Sequence, residues 1–173
     1  MANMELIEAK TSTSSSVTFS SIPQTYTDLK LVISARDSST GANWSRIKFA
    51  FNGTSSTTNW SGKELYGTGS GSASTYNYGT SDSAAGGFAT TADATSNTFG
   101  NTEIYIPNYT SANKKSVSTD GVSENNATTA YAVLNANLIS TSNPITDIQI
   151  IAVYGSGLYQ IHSTFYLYGI KNS

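Results

Sequence analysis

Alternating apolar and polar positions predict several half-buried β-strands in this chain. In the clearest case Leu29, Leu31, Ile33 and Ala35 occupy every second position, and Arg36 ends the row of residues between them. Because successive side chains of a strand point to opposite faces, the apolar row faces a core and the row ending at Arg36 faces water. The same reasoning predicts strands at residues 16–20, 28–36, 46–52, 102–106, 128–139, 145–154 and 163–170.

The ends of two of these segments indicate how they fit into a sheet. The strand at 46–52 ends in Asn52-Gly53, a dipeptide that favours the positive φ angles of a tight hairpin turn, so we expect the chain to reverse there. The segment 145–154 is rich in β-branched residues and has turn residues on both sides. It therefore predicts a central strand.

Taken together, the segments predict an all-β fold, a single antiparallel β-sandwich that is jelly-roll-like and spans residues 1–173. No segment has the periodicity of an amphipathic helix. Residues 54–97 contain Leu65 as their one large aliphatic residue. This composition predicts a long Ser/Thr/Gly-rich loop region with short edge strands, which we expect to contact something large. For residues 1–10, an internal strand and an arm that reaches a neighbouring molecule are both open.

Charge and composition narrow the classes of partner. The chain has 9 Lys and Arg residues against 11 Asp and Glu residues, a net charge of −2, and no cysteine. Such a surface lacks the basic patch that nucleic acid or an anionic membrane requires, so we expect neither partner. The absence of cysteine excludes disulfide scaffolds and thiolate metal sites. We find neither a membrane span nor the order of a signal peptide in the sequence.

The residues that could carry catalysis do not form a recognisable motif. His162 is the one histidine, and a structural or surface role is expected for it. Glu64, Glu103, Asp120 and Glu124 are the carboxylates that a glycosidase could use, although solvated loop charges are the simpler interpretation. We therefore predict no catalytic residue, no cofactor and no metal. Calcium held between separate loops and a small carbohydrate-active enzyme stay as alternatives.

Aromatic residues are the most informative part of the composition, with 11 Tyr, 6 Phe and 2 Trp. Tyrosine and tryptophan give a large contact area for little lost side-chain entropy, which suits an interface. For the two tryptophans, capping one end of the core is an equal alternative. The candidate partner-contact residues are Trp44, Trp60, Tyr66, Tyr76 and Tyr78.

Several sequence blocks along nearly the whole length of the chain carry a family resemblance. They are Met4-Glu-Leu-Ile-Glu-Ala-Lys-Thr11, Val17-Thr-Phe-Ser-Ser-Ile-Pro-Gln-Thr-Tyr-Thr-Asp-Leu29, Phe51-Asn-Gly53, Glu103-Ile-Tyr-Ile-Pro-Asn-Tyr109, Lys114-Lys-Ser116 with Asp120-Gly121, and Ser163-Thr-Phe-Tyr-Leu-Tyr-Gly-Ile170. In these blocks the chain resembles a family of small structural proteins of tailed bacteriophages. Such proteins are virion components, regarded as capsid decoration or tail-associated proteins.

The resemblance implies a protein that binds without catalysing. A decoration, or cement, protein of this kind would be made in the host bacterial cytoplasm and would then bind the major capsid protein on the outside of the capsid as a homotrimer. Several linked contacts would stabilise the lattice without any single strong residue. The alternative is a host-recognition module on a tail or head fibre, in which exposed aromatic residues would bind cell-surface sugar.

Overall fold

A computed structural model describes residues 3–53, 60–69, 73–78, 84–124, 130–152 and 157–172, and its regular secondary structure is entirely β. Within these residues, twelve strands form two antiparallel sheets that pack on one another, which confirms the predicted all-β sandwich. The large sheet contains, in spatial order, β1 (Asn3–Thr11), β12 (Thr164–Lys171), β3 (Asp28–Ala35), β8 (Gly100–Ile106), β9 (Lys115–Glu124), β10 (Ala130–Ile139), β5 (Trp60–Thr68) and β6 (Ser74–Tyr78). The small sheet contains β2 (Ser16–Phe19), β11 (Ile148–Ala152), β4 (Trp44–Phe51) and β7 (Ala84–Thr90).

The core lies between the two sheets and is built from the alternating rows that the sequence predicts. On β3, the side chains of Leu29, Leu31 and Ile33 are fully buried. On β4 the inward row of Phe49 and Phe51 is fully buried as well. Strand β11 lies between β2 and β4, so the predicted central position of this segment is confirmed.

One residue departs from the alternation. Arg36 was expected to face water, but only 6% of it is exposed. Its guanidinium donates to the backbone carbonyls of Ala94 and Thr95, both at 2.9 Å, and to those of Ala92 and Thr98 at 3.3 and 3.2 Å. The side chain therefore organises the connection between β7 and β8, and its burial is possible because carbonyl oxygens replace water.

Part of the predicted loop region at 54–97 is regular structure. Its described residues include β5, β6 and β7, so the prediction of a long loop is wrong there, although β6 and β7 are edge strands as expected. All seven residues of β7 are buried. At Gly87, where φ is +97°, an added Cβ would lie 2.3 Å from the Thr102 hydroxyl oxygen. Small residues in β7 thus let it lie very close to the large sheet.

The Asn52-Gly53 pair adopts positive φ angles of 52° and 65°, as predicted, but does not form a hairpin. Strand β4 belongs to the small sheet and β5 to the large one, so the chain passes between sheets after residue 53. The Asn52 side chain instead connects to the segment before β11. Its Oδ1 accepts from the Thr146 amide at 2.8 Å, and its Nδ2 donates to the Pro144 carbonyl at 2.8 Å.

The segment at the start of the chain is an internal strand. Strand β1 pairs with β12, with Asn3 opposite Lys171 and Thr11 opposite Thr164, and forms one edge of the large sheet. Of the two alternatives for residues 1–10, the described part, from residue 3, therefore shows the strand.

Candidate functional site

Trp44 is half-buried at the start of β4 and lies in an aromatic cluster. Its ring centroid is 4.6 Å from that of Phe88 and 6.1 Å from that of Tyr131. The guanidinium carbon of Arg46 lies 5.3 Å from the Trp44 ring centroid, within the range of a cation–π interaction. Part of Trp44 thus remains accessible, but most of its contacts are internal.

Trp60 is a core residue, which corrects its assignment as a candidate partner contact. Only 3% of it is exposed. Its ring centroid lies 5.5 Å from that of Phe49, with the planes perpendicular, and 5.4 Å from that of Phe51. The tryptophan therefore closes the core between the sheets and has no surface to offer a partner.

The three tyrosine candidates lie on the last two strands of the large sheet. Tyr66 is half-buried on β5, on the same face as the buried Glu64. Tyr76 and Tyr78 belong to β6, where their backbones pair with Glu64 and Gly62. The side chains of Tyr76 and Tyr78 lie outside the described residues, so their predicted contacts stay predictions.

An ion pair joins the two sheets beside the Trp44 cluster. The Arg46 guanidinium of β4 donates to the carboxylate of Glu64 on β5. Glu64 is 1% exposed, whereas the Arg46 side chain is 27% exposed. The pair therefore places a carboxylate inside the sandwich and neutralises it with a cation that reaches the surface. The sequence predicts that Glu64 is a solvated loop charge. In the structure it lies on strand β5 and points into the sandwich.

Polar side chains of the large sheet face β7 and complete its hydrogen bonds. Asn137 donates from Nδ2 to the Ala85 carbonyl at 3.1 Å, and the Thr102 hydroxyl donates to the Phe88 carbonyl at 3.4 Å. The Thr90 and Ser123 hydroxyls lie 2.9 Å apart. Because β7 is an edge strand of the small sheet, its unpaired backbone groups need such partners.

Strand β10 consequently has an inverted pattern, with asparagine inside and leucine outside. Asn135 and Asn137 are buried at 2% and 5% exposure, while Leu134 and Leu138 are exposed at 54% and 49%. The outward row is apolar along the whole strand. We call this surface the β10 outer surface. It consists of Ala130, Ala132, Leu134, Ala136 and Leu138, with Leu65 of β5 and Val122 of β9 on its two sides.

Two charged residues of opposite sign border the β10 outer surface. Asp120 of β9 pairs in register with Leu134, and Lys63 of β5 pairs with Ala136. Both side chains are exposed. Next to the small Ala136 side chain lie two open depressions, of 410 and 200 Å³, which share Ser116 as a lining residue. The surface is thus apolar, uneven and bordered by a cation on one side and an anion on the other.

Two of the candidate glycosidase carboxylates are neighbours, but they are on an open surface. Glu103 of β8 lies directly opposite Asp120 of β9. They line an open depression of 410 Å³, and Glu103 also pairs with Lys30 at 2.6 Å. Glu64 lies inside the sandwich, and the side chain of Glu124 lies outside the described residues. The four predicted carboxylates therefore do not form one site.

The remaining chemistry in the described ranges is sparse. His162 is exposed in a turn next to Ile161 and borders a shallow depression of 170 Å³. Within the described residues, no group of three or more His, Cys, Asp or Glu side chains could hold a metal ion. The same residues include no helix long and apolar enough to span a bilayer.

The pKa shifts follow from packing. Burial raises the pKa of Tyr159 far above its usual value, and the nearby Asp37 adds to the effect. Burial also raises the pKa of Tyr109 and lowers that of Lys115. A hydrogen bond to Asp28 raises the pKa of Tyr105. These shifts come from burial and from one hydrogen bond to a carboxylate, and the groups do not assemble into an acid–base pair.

No protein-family model, curated protein or solved structure matches this chain. The candidate site is therefore assigned from its geometry. The residues that it uses were missed at the level of sequence, and the one signal that could have revealed them is the alternation of leucine and alanine with asparagine in residues 132–138.

Proposed function

We propose that this chain is a structural protein of a tailed-bacteriophage virion, a capsid decoration protein that binds the major capsid protein on the outer lattice as a homotrimer. The observation that carries the proposal is the apolar β10 outer surface, a regular sheet face on which Leu134, Leu138 and Leu65 are exposed at 54%, 49% and 46%. An apolar surface of this kind on a soluble protein is typical of a protein–protein contact. The function is adhesion, without a catalytic step.

The physical mechanism of such a protein is the multiplication of modest contacts. A specific contact typically buries about 800 Å² on each partner. When three copies are linked, each copy that binds raises the effective concentration of the other two at their capsid sites. The trimer therefore stays on the lattice although each single contact is weak, and it stabilises neighbouring capsid subunits against the pressure of packaged DNA.

The low charge supports the same function. With a net charge of −2 over 173 residues, the protein gains little from long-range attraction to a partner. Its affinity for the capsid should depend mainly on uncharged contact area, which salt does not screen. We therefore expect capsid binding to change by less than about threefold between low and moderate ionic strength.

Electron cryomicroscopy of the native particle, with this chain carrying a fused label, is the decisive experiment. Label density at symmetric positions on the outer capsid, together with binding of the purified protein to undecorated capsids, would support the proposal. Label density on the tail, or binding to host surface glycans without binding to capsids, would contradict it. The second result is the one expected of a host-recognition module.

The matched control uses the aromatic residue that a sugar-binding site would need. Trp44→Ala removes the accessible tryptophan, so a host-recognition module would lose adsorption to cells. A decoration protein would keep its capsid binding, provided that circular dichroism shows the variant to be folded.

A further inference from the structure

We infer that the β10 outer surface is the contact between copies of this chain, arranged about a threefold axis parallel to β10 so that Asp120 of one copy faces Lys63 of the next. The inference rests on the proposed function for the number of copies and adds to it the surface and the arrangement of the trimer. It leaves the remainder of the protein to bind the capsid.

The first argument is that the apolar outward row of β10 stays exposed in a single copy. On β10 the inward asparagines are explained by the backbone of β7, because Asn137 donates to the Ala85 carbonyl. Nothing within the described residues covers the outward row, since Leu134 and Leu138 are 54% and 49% exposed and Leu65 beside them is 46% exposed. Burying this apolar row in a contact between copies would remove it from water.

The second argument is the charge on the two sides of the row, which identifies the occupant. Asp120 lies on the β9 side, level with Leu134, and Lys63 lies on the β5 side, level with Ala136. An axis parallel to β10 brings the β9 side of one copy against the β5 side of the next. The two charges are then offset by two residues, about 7 Å along the strand, which a lysine side chain can span. The surface is thus complementary to itself.

The alternative axis, perpendicular to the strands, has the opposite electrostatic result. It would place the β9 side of one copy against the β9 side of another, so that Asp120 would meet Asp120. Like charges in contact are unfavourable. The positions of the two charges therefore select the parallel axis, and a threefold axis lets every copy use both sides of its surface.

The third argument is the electrostatic environment of Asp120 in a single copy. It lies directly opposite Glu103, and like charges at facing positions on a sheet destabilise it. Lys30 pairs with Glu103 at 2.6 Å, whereas Asp120 has no ion pair within the described ranges. The ammonium group of Lys63 from the next copy would supply the missing cation.

The test measures the mass of the purified full chain by sedimentation equilibrium over a dilution series. The expected result is three copies for the wild type. Leu134→Ser and Leu138→Ser should each weaken the trimer by about tenfold or more, because each removes an apolar contact at the centre of the interface. Ile161→Ser is the matched control, since Ile161 is 69% exposed but lies in a turn away from β10. It should leave the mass unchanged.

A charge exchange tests the arrangement separately. Asp120→Lys and Lys63→Asp should each weaken the trimer, because each places like charges together between copies, and the double variant should restore it. A purely structural role of either residue would not produce this rescue. Circular dichroism confirms that each variant is folded.

The inference is overturned if the wild type stays a monomer at all concentrations, if it forms a trimer that the two leucine variants do not weaken, or if the double charge variant is no better than the single ones. A trimer that behaves as expected but does not bind capsids would leave this inference intact and contradict only the proposed function.

Discussion

Arg46 and Glu64 join the two sheets through a salt bridge that is buried on one side only. The Glu64 carboxylate is 1% exposed, and the guanidinium that neutralises it belongs to a side chain that is 27% exposed. A buried charge without its partner is strongly destabilising, whereas the intact pair gives little net stabilisation. The contact therefore affects stability mainly because its loss would leave the Glu64 carboxylate buried without the Arg46 guanidinium.

The first prediction concerns this pair. Arg46→Met should lower the free energy of unfolding by about 2–3 kcal/mol, because it removes the guanidinium that pairs with the buried Glu64 carboxylate. Adding Glu64→Gln to that variant should recover more than half of the loss. The control is Lys171→Met, which removes a surface pair of 3.9 Å with Glu5 and should cost less than about 0.5 kcal/mol. Urea unfolding measures all of them, and equal effects at both pairs would contradict the assignment.

A second prediction compares two asparagines of β10. Asn137 donates to the Ala85 carbonyl, so Asn137→Leu should cost about 2 kcal/mol by leaving that carbonyl unpaired. Asn135 is equally buried, but its amide has no hydrogen-bond partner within the described residues, so Asn135→Leu should stabilise the protein by about 1 kcal/mol. The measurement is the midpoint of urea unfolding. A similar loss in both variants would show that β7 does not depend on Asn137.

Arg36 gives a third prediction. Arg36→Lys should lower the free energy of unfolding by about 3 kcal/mol, because a lysine cannot replace the guanidinium donors that reach the carbonyls of residues 92–98. Lys30→Met on the preceding strand β3 is the control, since it removes only a surface pair with Glu103 and should cost less than about 1 kcal/mol. Hydrogen exchange should show that the Arg36 variant first loses protection at residues 92–98. Uniform loss of protection would contradict a local role.

The fourth prediction is a loss of stability in alkali. Burial raises the pKa of Tyr109 and of Tyr159 in the native protein, so these hydroxyls keep their protons when the unfolded chain loses them above its ordinary pKa of 10.0. The native state then binds more protons than the unfolded state. The free energy of unfolding should be constant below that pH and fall above it, by about 1.4 kcal/mol per pH unit for each such tyrosine. Burial lowers the pKa of Lys115, which acts in the opposite direction for one group.

A pair of substitutions separates the two tyrosines. The Tyr159 hydroxyl has no hydrogen-bond partner among the described residues, whereas that of Tyr109 donates to the Pro23 carbonyl. At neutral pH, Tyr159→Phe should therefore raise the free energy of unfolding by about 1 kcal/mol and Tyr109→Phe should lower it by about 1 kcal/mol. Both should make the alkaline decline shallower. An unchanged decline in Tyr159→Phe would contradict the protonation argument.

Sequence patterns predicted the strands whose inward row is apolar. Leu29, Leu31 and Ile33 on β3 and the row of β4 alternate cleanly because one face meets the core. Strand β7 was placed within a loop region with short edge strands, without bounds of its own, because it is buried on both faces and uses small residues, so it shows no alternation. Strand β9 was missed because its inward residues Thr119 and Ser123 are polar, and their burial depends on β7.

The candidate site was harder to predict, because whether its residues are buried or exposed depends on contacts with residues that are distant in sequence. The alternation on β10 is visible, but the inward side of the strand carries the polar residues Asn135 and Asn137, and Asn137 bonds to β7. Arg36 was predicted to face solvent because the carbonyls that accept its hydrogen bonds belong to residues about 60 positions later in the sequence. Of the aromatic candidates, Trp60 was misassigned because large core residues also occur at the ends of strands.

The pairing of β1 with β12 and of β2 with β11 has a consequence for synthesis on the ribosome. Neither sheet can close until its late strands have left the exit tunnel, so an emerging chain exposes the unpaired edges of β3 and β4 until then. Contacts between such distant segments also slow the search for the native state. Folding should therefore wait until β11 and β12 have emerged, and chains that stop before β11 should aggregate.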